Sequence, residues 1–358
     1  MGNEYEDEWV GRIVDGRYEV LEQLGAGGMG LVYRARHVVL GREVAIKVLR
    51  PTAMGHSSAV QRAIREAQAA SAIGDAHIVE VRDFGVMSGG HPYMVMELLR
   101  GVELADLIAH EAPLPVGRVC HIGAQIADAL EAAHRCSIVH RDLKAENVIL
   151  VPHPSTPDFV KLVDFGIAHV QNAESKITKA GEMLGTPQYM SPEQCFGQPV
   201  DHRADVYALG VLLYEMLTGS APYTETNPRA LLVAHMTSTP TPVGEQRGGL
   251  PPALEALVMR CLAKRPDARF ASMRDVAIAL RAVMNPPEAQ SQVASTSSER
   301  QVFPRSRASA RFAAGFALAF ASAVVLSLGG AGAFALASHC EVTQAHAASL
   351  SAAFHAGD

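Results

Sequence analysis

A lysine, two acidic residues and an asparagine stand close together near the middle of the chain. Residues 139–147 read Val-His-Arg-Asp-Leu-Lys-Ala-Glu-Asn, and Asp164-Phe165-Gly166 follows. Asp142 and Asp164 offer carboxylates, Lys144 offers a cation, and Asn147 offers an amide oxygen. Phosphoryl transfer requires metal ions held by hard oxygen ligands and an acceptor hydroxyl in line with the transferred group. This set of side chains in one cleft could meet those needs.

A glycine-rich segment near the N-terminus has the composition of a phosphate-binding loop. Residues 25–30 read Gly-Ala-Gly-Gly-Met-Gly, and glycine lets backbone N–H groups approach phosphate oxygens where a Cβ would intrude. A dinucleotide-binding fold would place a helix after such a loop. Here the strand-like segment Leu31-Val32-Tyr33-Arg34-Ala35 follows, which favours a phosphate-covering hairpin. The motif by itself leaves open a glycine-rich turn that binds nothing.

The apolar segment Val44-Ala45-Ile46 ends in Lys47. Side chains alternate along a strand, so Lys47 is expected on the face opposite Ile46, toward the glycine-rich cleft. A lysine held there needs a carboxylate partner, and Glu66, on the next predicted helix, is the candidate. The alternative is a solvated surface pair of little energetic value.

Hydrophobic periodicity places these motifs on a small β-rich lobe followed by a larger α-helical lobe, an α+β architecture. The predicted strands are Tyr18–Leu24, Leu31–Arg36, Glu43–Leu49, Ile78–Val86 and Pro92–Leu98. The predicted helices are Ser57–Ile73, Arg118–His134 and Ala204–Leu217, the last of which is apolar nearly all round and therefore buried.

Together and in this order, the four motifs resemble the eukaryotic-like, or Hanks-type, protein kinases of bacteria. The resemblance runs from Tyr18 to about Met284, so the kinase domain is expected over residues 18–285. It implies the two-lobed kinase fold, ATP and Mg²⁺ (or Mn²⁺) as cofactors, and protein substrates, including the chain itself, with Ser or Thr as acceptors. Lys144, two residues after Asp142, is similar to the Ser/Thr group of kinases.

The resemblance also implies roles for individual residues. The expected catalytic residues are Asp142 as base, Lys144, Lys47 and Glu66, and the expected metal ligands are Asn147 and Asp164. The expected nucleotide-binding residues are Leu24, Gly25, Gly27, Gly30, Val32, Ala45, Lys47, Glu97, Leu99 and Ile149, with Met96 as gatekeeper.

Motifs further along the chain separate this family from kinases of small metabolites. Residues 185–193, Gly-Thr-Pro-Gln-Tyr-Met-Ser-Pro-Glu, resemble the end of an activation segment. Glu193 is expected to form a buried bridge with Arg265, and Asp205 is expected to hold the backbone of the catalytic loop. A catalytically silent scaffold is the alternative, and it would lack the lysine, the base or a metal ligand. Residues 152–158, which lengthen a loop relative to the family, are expected to form a surface insertion.

Regulation is predicted from Arg141, which adjoins the catalytic acid and could bind a phosphate. A phosphothreonine adds a charge of about −1.5 to −2 and could order the activation segment. The predicted sites are Thr178 and then Ser175, while Thr186 is placed where it could contact Asp142. The alternative is a loop that is ordered without phosphorylation.

Composition limits the remaining possibilities. The net charge of −6 leaves no basic surface for nucleic acid, and five scattered cysteines argue against a zinc site or a disulfide framework. Residues 1–17 form an acidic N-terminal segment, and residues 286–311 are predicted to be a flexible linker.

Residues 312–337 carry no charge and are long enough to cross a bilayer. Four arginines precede them, at positions 300, 305, 307 and 311, and none follows. The positive-inside rule therefore places the kinase domain in the cytoplasm and the tail, 338–358, outside the cell membrane. Small residues in the span would permit a homodimer, although they also match a general Ala and Gly bias. A buried core helix is the alternative to the span.

Overall fold

The structure is a computed structural model, and it describes residues 9–27, 30–49, 73–87, 90–164 and 187–285. All of these residues lie within the compact unit Met1–Gln292. The predicted helix at 57–73 falls almost entirely outside the described residues, as do the linker, the predicted span and the tail. Among the helices that are described, none combines the length and apolar character needed to cross a bilayer.

The first lobe is built on an antiparallel sheet with the strand order β1-β2-β3-β4-β6-β5. Its strands are β1 (Ile13–Val14), β2 (Tyr18–Gly27), β3 (Gly30–His37), β4 (Glu43–Leu49), β5 (Val81–Val86) and β6 (Pro92–Glu97). The five predicted strands are confirmed, although the fourth begins at Val81, because Ile78 forms only an isolated bridge with Leu162.

Alternation along β4 separates the lobe's core from the cleft. Val44, Ile46 and Val48 are buried in one apolar cluster with residues of β2, β3 and β6. Ala45 belongs to a different cluster, and Lys47 lies on the same face as Ala45. The strand therefore buries one apolar face and presents its lysine on the other, as the sequence pattern predicts.

The second lobe is mainly helical. Its helices are α1 (Leu104–Glu111), α2 (Val116–Arg135), α3 (Pro192–Cys195), α4 (Arg203–Thr218), α5 (Pro228–Thr237), α6 (Val243–Gln246), α7 (Pro252–Cys261) and α8 (Met273–Met284). The helix α4 runs through the core and is buried along nearly its whole length. Its sequence, which is apolar nearly all round, predicts that position, since a helix that is hydrophobic all round has no face for solvent.

A small antiparallel sheet lies at the start of this lobe and carries the catalytic segments. Its strands are β7 (Val102–Glu103), β8 (Val148–Val151) and β9 (Phe159–Leu162). β8 follows the Asp142–Asn147 segment directly, and β9 leads to Asp164. Pairing of β8 with β9 therefore brings these two segments together. The predicted two-lobed arrangement, a β-sheet lobe followed by a helical lobe, is confirmed.

Candidate active site

Lys47 and Asp164 meet between the two lobes. The Nζ atom of Lys47 lies 2.6 Å from Oδ1 of Asp164, and the lysine is 7% exposed. This burial rules out the solvated surface pair. Glu66, the partner predicted from the sequence, lies outside the described residues. Two residues 117 positions apart therefore place a cation and a carboxylate at one point of the cleft.

The catalytic loop gathers the other predicted residues around Asp142. Lys144 Nζ lies 3.6 Å from Asp142 Oδ2. The Asn147 side chain donates to the backbone oxygen of Asp142 at 2.8 Å and lies 3.4 Å from its Oδ2. The amide oxygen of Asn147 accepts no hydrogen bond within the described residues. It is therefore available to a cation.

Asp205, on the buried helix α4, holds the backbone of this loop. Its carboxylate accepts hydrogen bonds from the N–H groups of His140 and Arg141, both at 2.9 Å, and contacts His134 Nε2 at 2.7 Å. Burial would raise the pKa of Asp205, but the His134 bond and the neighbouring donors lower it overall. The prediction that Asp205 holds the loop is confirmed.

The loop has a strained backbone. Arg141 has φ 62° and Asp164 has φ 55°, both in the left-handed region that non-glycine residues rarely adopt. A hydrogen bond from Val163 N to Asn147 O at 3.0 Å connects the loop to the Asp164 segment. Tertiary contacts thus maintain two conformations that the local sequence disfavours.

His140 fills the space behind the loop. It is fully buried, and burial lowers the pKa of its imidazole. Nδ1 accepts from the N–H of Asp142, while Nε2 donates to Val163 O, each at 3.3 Å. This bonding fits a neutral ring, and the bond to the N–H of Asp142 helps to position that residue.

The glycine-rich hairpin has room for phosphate. Gly27 pairs with Gly30 across the turn, and the strand that follows confirms a hairpin at this point. A Cβ at Gly25 or Gly27 would meet no protein atom within 4 Å, whereas one at Gly30 would collide with the backbone of Val48. Gly30 is therefore required by the fold, and the space above Gly25 and Gly27 is open to a ligand.

The donor set fits a magnesium-bound nucleotide. Asn147 and Asp164 supply hard oxygen atoms, which Mg²⁺ prefers, and that ion also keeps waters and phosphate oxygens in its shell. Within the described residues no group of three His, Cys, Asp or Glu side chains could hold a metal by itself. The site therefore suits a metal shared with a phosphate.

An apolar cluster lies between the two lobes where the purine would bind. Three residues expected there on sequence grounds, Val32, Ala45 and Leu99, pack in this cluster with the gatekeeper Met96. The cluster also contains Val79, Leu98 and Val163, which sequence reasoning missed. Of these, Val163 could have been found, because it directly precedes Asp164.

Two of the apolar residues predicted to contact the nucleotide lie outside that cluster. Leu24, on β2, is 49% exposed, and Ile149 is half-buried on β8.

The Glu97 side chain accepts from Lys161 Nζ at 2.6 Å and from the N–H of Glu80 at 2.9 Å. Lys161 thus connects β9 of the second lobe to the end of β6 in the first lobe, a contact that sequence reasoning missed.

The predicted bridge from Glu193 to Arg265 is wrong, because a different arginine pairs with Glu193. Arg269 makes the bridge, with two N···O distances of 2.7 and 2.8 Å, and both side chains are buried. Arg265 pairs with Asp267 instead, and its side chain is 80% exposed. Arg269 enters the core because backbone oxygens of Arg203, Ala263 and Lys264 accept its remaining N–H groups.

Gln194, beside the bridge, reaches the catalytic loop. Its Nε2 donates to Arg141 O at 2.9 Å, and its Oε1 accepts from Ser191 N at 3.0 Å. Lys264 anchors the end of α5 by donating to His235 O at 2.8 Å, and burial lowers the pKa of this lysine to about 8. The Gln194 contact therefore connects the segment around the Glu193–Arg269 bridge to the catalytic loop.

The predicted regulatory residues are only partly described. Arg141 lies on the catalytic loop, and its Nε atom is buried without a hydrogen-bond partner in the described part of the chain. Thr178, Ser175 and Thr186 lie outside that part.

The two-lobed fold and the gathered lysine, acids and asparagine define a kinase, and comparison with known proteins agrees. Residues 18–279 match the family described as "Protein kinase domain". The chain belongs to the protein kinase family.

Among curated relatives, the chain is 40% identical over 282 residues to the serine/threonine-protein kinase pkn3 of Myxococcus xanthus, covering 77% of this chain and 52% of the relative. It is 40% identical over 279 residues to PknB of Mycobacterium tuberculosis, covering 76% and 44%. The chain thus spans about half, or less, of these relatives' length.

Among solved structures, the crystal structure of the M. tuberculosis PknI kinase domain is 31% identical, with a TM-score of 0.60. That match covers 77% of this chain and 98% of the PknI chain.

Proposed function

We propose that the chain is a serine/threonine protein kinase that transfers the γ-phosphoryl group of ATP to hydroxyls of proteins, including its own. The observation that carries this proposal is the convergence of Lys47 and Asp164 with Asp142, Lys144 and Asn147 at the interface of the lobes. Each curated relative cited above is named a serine/threonine-protein kinase. Lys144 beside Asp142 favours the same acceptor class.

Each of these residues has a separate role in the reaction. Asp142 accepts the proton of the acceptor hydroxyl while the hydroxyl oxygen bonds to the γ-phosphorus. The bond from that phosphorus to the bridging oxygen breaks at the same time and releases ADP. Lys144 balances the charge on the transferred group. Lys47 binds the α- and β-phosphates, and Asn147 and Asp164 would hold Mg²⁺. That ion would neutralise charge on the phosphate oxygens.

The experiment incubates the purified full chain with labelled ATP, Mg²⁺ and a protein acceptor. We expect phosphoserine and phosphothreonine in the wild type. Asp142→Asn should lower transfer by about 10²–10⁴-fold, because it removes the base. Asp128→Asn is the matched control, since Asp128 is an exposed carboxylate on α2 paired with Arg281. Equal loss in both variants would contradict the assigned role.

A catalytically silent scaffold is the alternative, and the same assay separates the two. A scaffold would bind nucleotide without transferring phosphate, and Asp142→Asn would then change nothing. Phosphorylation of a small metabolite with no labelling of protein would instead favour a metabolite kinase.

We further propose that phosphorylation of the activation segment, at Thr178 or Ser175, orders the site through Arg141. Within the described residues the buried Nε of Arg141 has no hydrogen-bond partner, which supports this proposal because a phosphate would supply acceptor oxygens to the guanidinium. Thr178→Ala should lower turnover while thermal stability is unchanged. Turnover equal to that of the wild type would argue against Thr178, and labelling of Ser175 would then identify the second site.

Attachment to the cell membrane through residues 312–337 is also a proposal, supported by the uncharged stretch and the arginines that precede it. The kinase domain would face the cytoplasm, and the span could bring two copies together as a homodimer. Carbonate extraction of membranes checks the attachment, and crosslinking in those membranes checks the dimer. A chain released by carbonate would overturn the first, and monomers alone would overturn the second.

A further inference from the structure

Two histidines lie side by side behind the catalytic loop, outside the site that binds the nucleotide. His134 is in the last turn of α2, and His202 directly precedes α4. The centroids of their rings are 5.5 Å apart, and the ring planes are inclined by 60°. Imidazole nitrogen is a ligand that Zn²⁺ prefers in proteins. The two rings therefore offer a pair of suitable ligands at one point of the second lobe.

The hydrogen bond of each ring determines which nitrogen carries the proton. Nε2 of His134 lies 2.7 Å from Oδ2 of Asp205. That carboxyl is ionised, because its pKa is lowered, and a carboxylate can only accept. Nε2 of His202 lies 2.9 Å from the backbone oxygen of Ala271, which also can only accept. Each Nε2 therefore donates, and the neutral form of each ring carries its lone pair on Nδ1.

The lone pair of His134 has no partner among the described residues. Its Nδ1 atom is buried without a hydrogen bond, and the side chain is 7% exposed. A buried polar atom that has lost its water and gained no partner is costly. Nδ1 of His202 likewise makes no hydrogen bond to a described residue. A cation bound between the rings would satisfy both nitrogens.

The surroundings of the two rings match those of metal-binding histidines. Such histidines donate their second ring nitrogen to a carboxylate or a backbone carbonyl, which fixes the orientation of the ring. His134 has the carboxylate and His202 has the carbonyl. Two imidazoles that bind one Zn²⁺ at about 2.0 Å have ring centroids about 5–6 Å apart. The separation of 5.5 Å falls in that range.

The charge beside the pair favours a cation. Asp205 contacts His134, and Asp201 adjoins His202 in the chain. The guanidinium of Arg203 pairs with Asp201 at 2.6 Å, which leaves the charge of Asp205 for the histidines. His134 is almost wholly buried and His202 is half-buried, so an ion would reach the pair from the side of His202. Two protein ligands leave the other positions of a tetrahedral zinc ion to water.

We propose that His134 and His202 form a zinc-binding site through their Nδ1 atoms. The site is separate from the magnesium ligands of the cleft, since Mg²⁺ prefers oxygen. It does not depend on the proposed kinase function. A zinc ion on Nδ1 would draw electrons from the ring of His134 and make its Nε2–H a stronger donor to Asp205, the residue that holds the catalytic loop. Zinc binding should therefore stabilise the folded chain.

The test titrates the purified full chain with Zn²⁺ against a fluorescent zinc chelator, with Mg²⁺ in excess and without nucleotide. The chain has 15 histidines and 5 cysteines, so each variant is compared with the wild type for the number and affinity of bound ions. His202→Gln should weaken the binding of one ion about tenfold or more, because it removes one of two protein ligands. His134→Gln should weaken the same ion. The matched control is His110→Gln, an exposed histidine on α1, which should bind zinc like the wild type.

Thermal unfolding separates loss of zinc from loss of folding. Without zinc, the midpoints of His202→Gln and His110→Gln should equal that of the wild type. Zinc at about ten times its Kd should raise the midpoint of the wild type by about 3–6 °C. The same rise is expected in His110→Gln and none in His202→Gln.

Three results would overturn the zinc site. The first is equal zinc binding by the wild type and His202→Gln, and the second is full binding by a folded His134→Gln. The third is an equal loss in His202→Gln and His110→Gln, which would assign the bound zinc to scattered surface histidines.

Discussion

Replacing Arg269 with alanine tests the buried bridge between Arg269 and Glu193. In the wild type both carboxylate oxygens of Glu193 accept from this guanidinium, and its side chain has no exposed surface. Three backbone oxygens accept from the same side chain. The substitution therefore leaves Glu193 charged and buried without its cation.

The expected loss follows from that burial. Removing one partner of a buried ion pair costs about 3–5 kcal/mol, because the remaining charge is desolvated and unpaired. For a domain of this size, 1 kcal/mol shifts the thermal midpoint by about 2–4 °C, so the midpoint should fall by about 6–20 °C. Arg265→Ala should shift it by about 2 °C or less, because Arg265 forms an exposed pair.

The measurement is thermal unfolding of the purified full chain by circular dichroism, with both variants side by side. The pair Glu193→Gln with Arg269→Met, which removes both charges, should recover part of the loss. The reasoning about an unpaired buried charge is wrong if Arg265→Ala lowers the midpoint as much as Arg269→Ala. It is also wrong if the double variant lowers the midpoint by more than the single variants Glu193→Gln and Arg269→Met do together.

Three further predictions follow from contacts around the site. Lys161→Met, which breaks the bond to Glu97 at the end of β6, should raise the KM for ATP about fivefold with little change in kcat, as steady-state kinetics would reveal. Gln194→Leu removes the bond to Arg141 O and should lower kcat about fivefold at unchanged KM for ATP; an unchanged kcat would contradict a positioning role. Burial lowers the pKa of His235 from 6.5 to about 4, so the unfolded state binds a proton first as the pH falls. The free energy of unfolding therefore falls below pH 6.5, by about 2 kcal/mol between pH 7 and pH 5. Denaturant titrations at these two pH values should show a smaller fall for His235→Gln than for the wild type.

Residues that act within one short segment were predictable from the sequence. The alternation of β4 places Lys47 opposite Ile46, since successive side chains of a strand point to opposite faces. The sequence of the catalytic loop likewise places Asp142, Lys144 and Asn147 within six consecutive residues. In each case local geometry already determines which side chains can meet.

Contacts between distant segments were not predictable in the same way. Arg265 and Arg269 are four residues apart in one segment, and nothing in their spacing says which one pairs with Glu193. The short helix Pro266–Ala268 lies between them. Arg265 pairs locally with Asp267, while the chain path after the turn carries Arg269 inward to acceptors from other segments.

The sequence by itself determined the order of the lobes, the glycine-rich hairpin and the identity of the cleft residues, because periodicity and short spacings act through local backbone geometry. Tertiary structure alone decided that Lys47 meets Asp164, that Lys161 reaches Glu97 and that His134 lies beside His202. Those contacts depend on how elements far apart in the chain pack against one another. Burial, rather than spacing, then selects the partner of each charge.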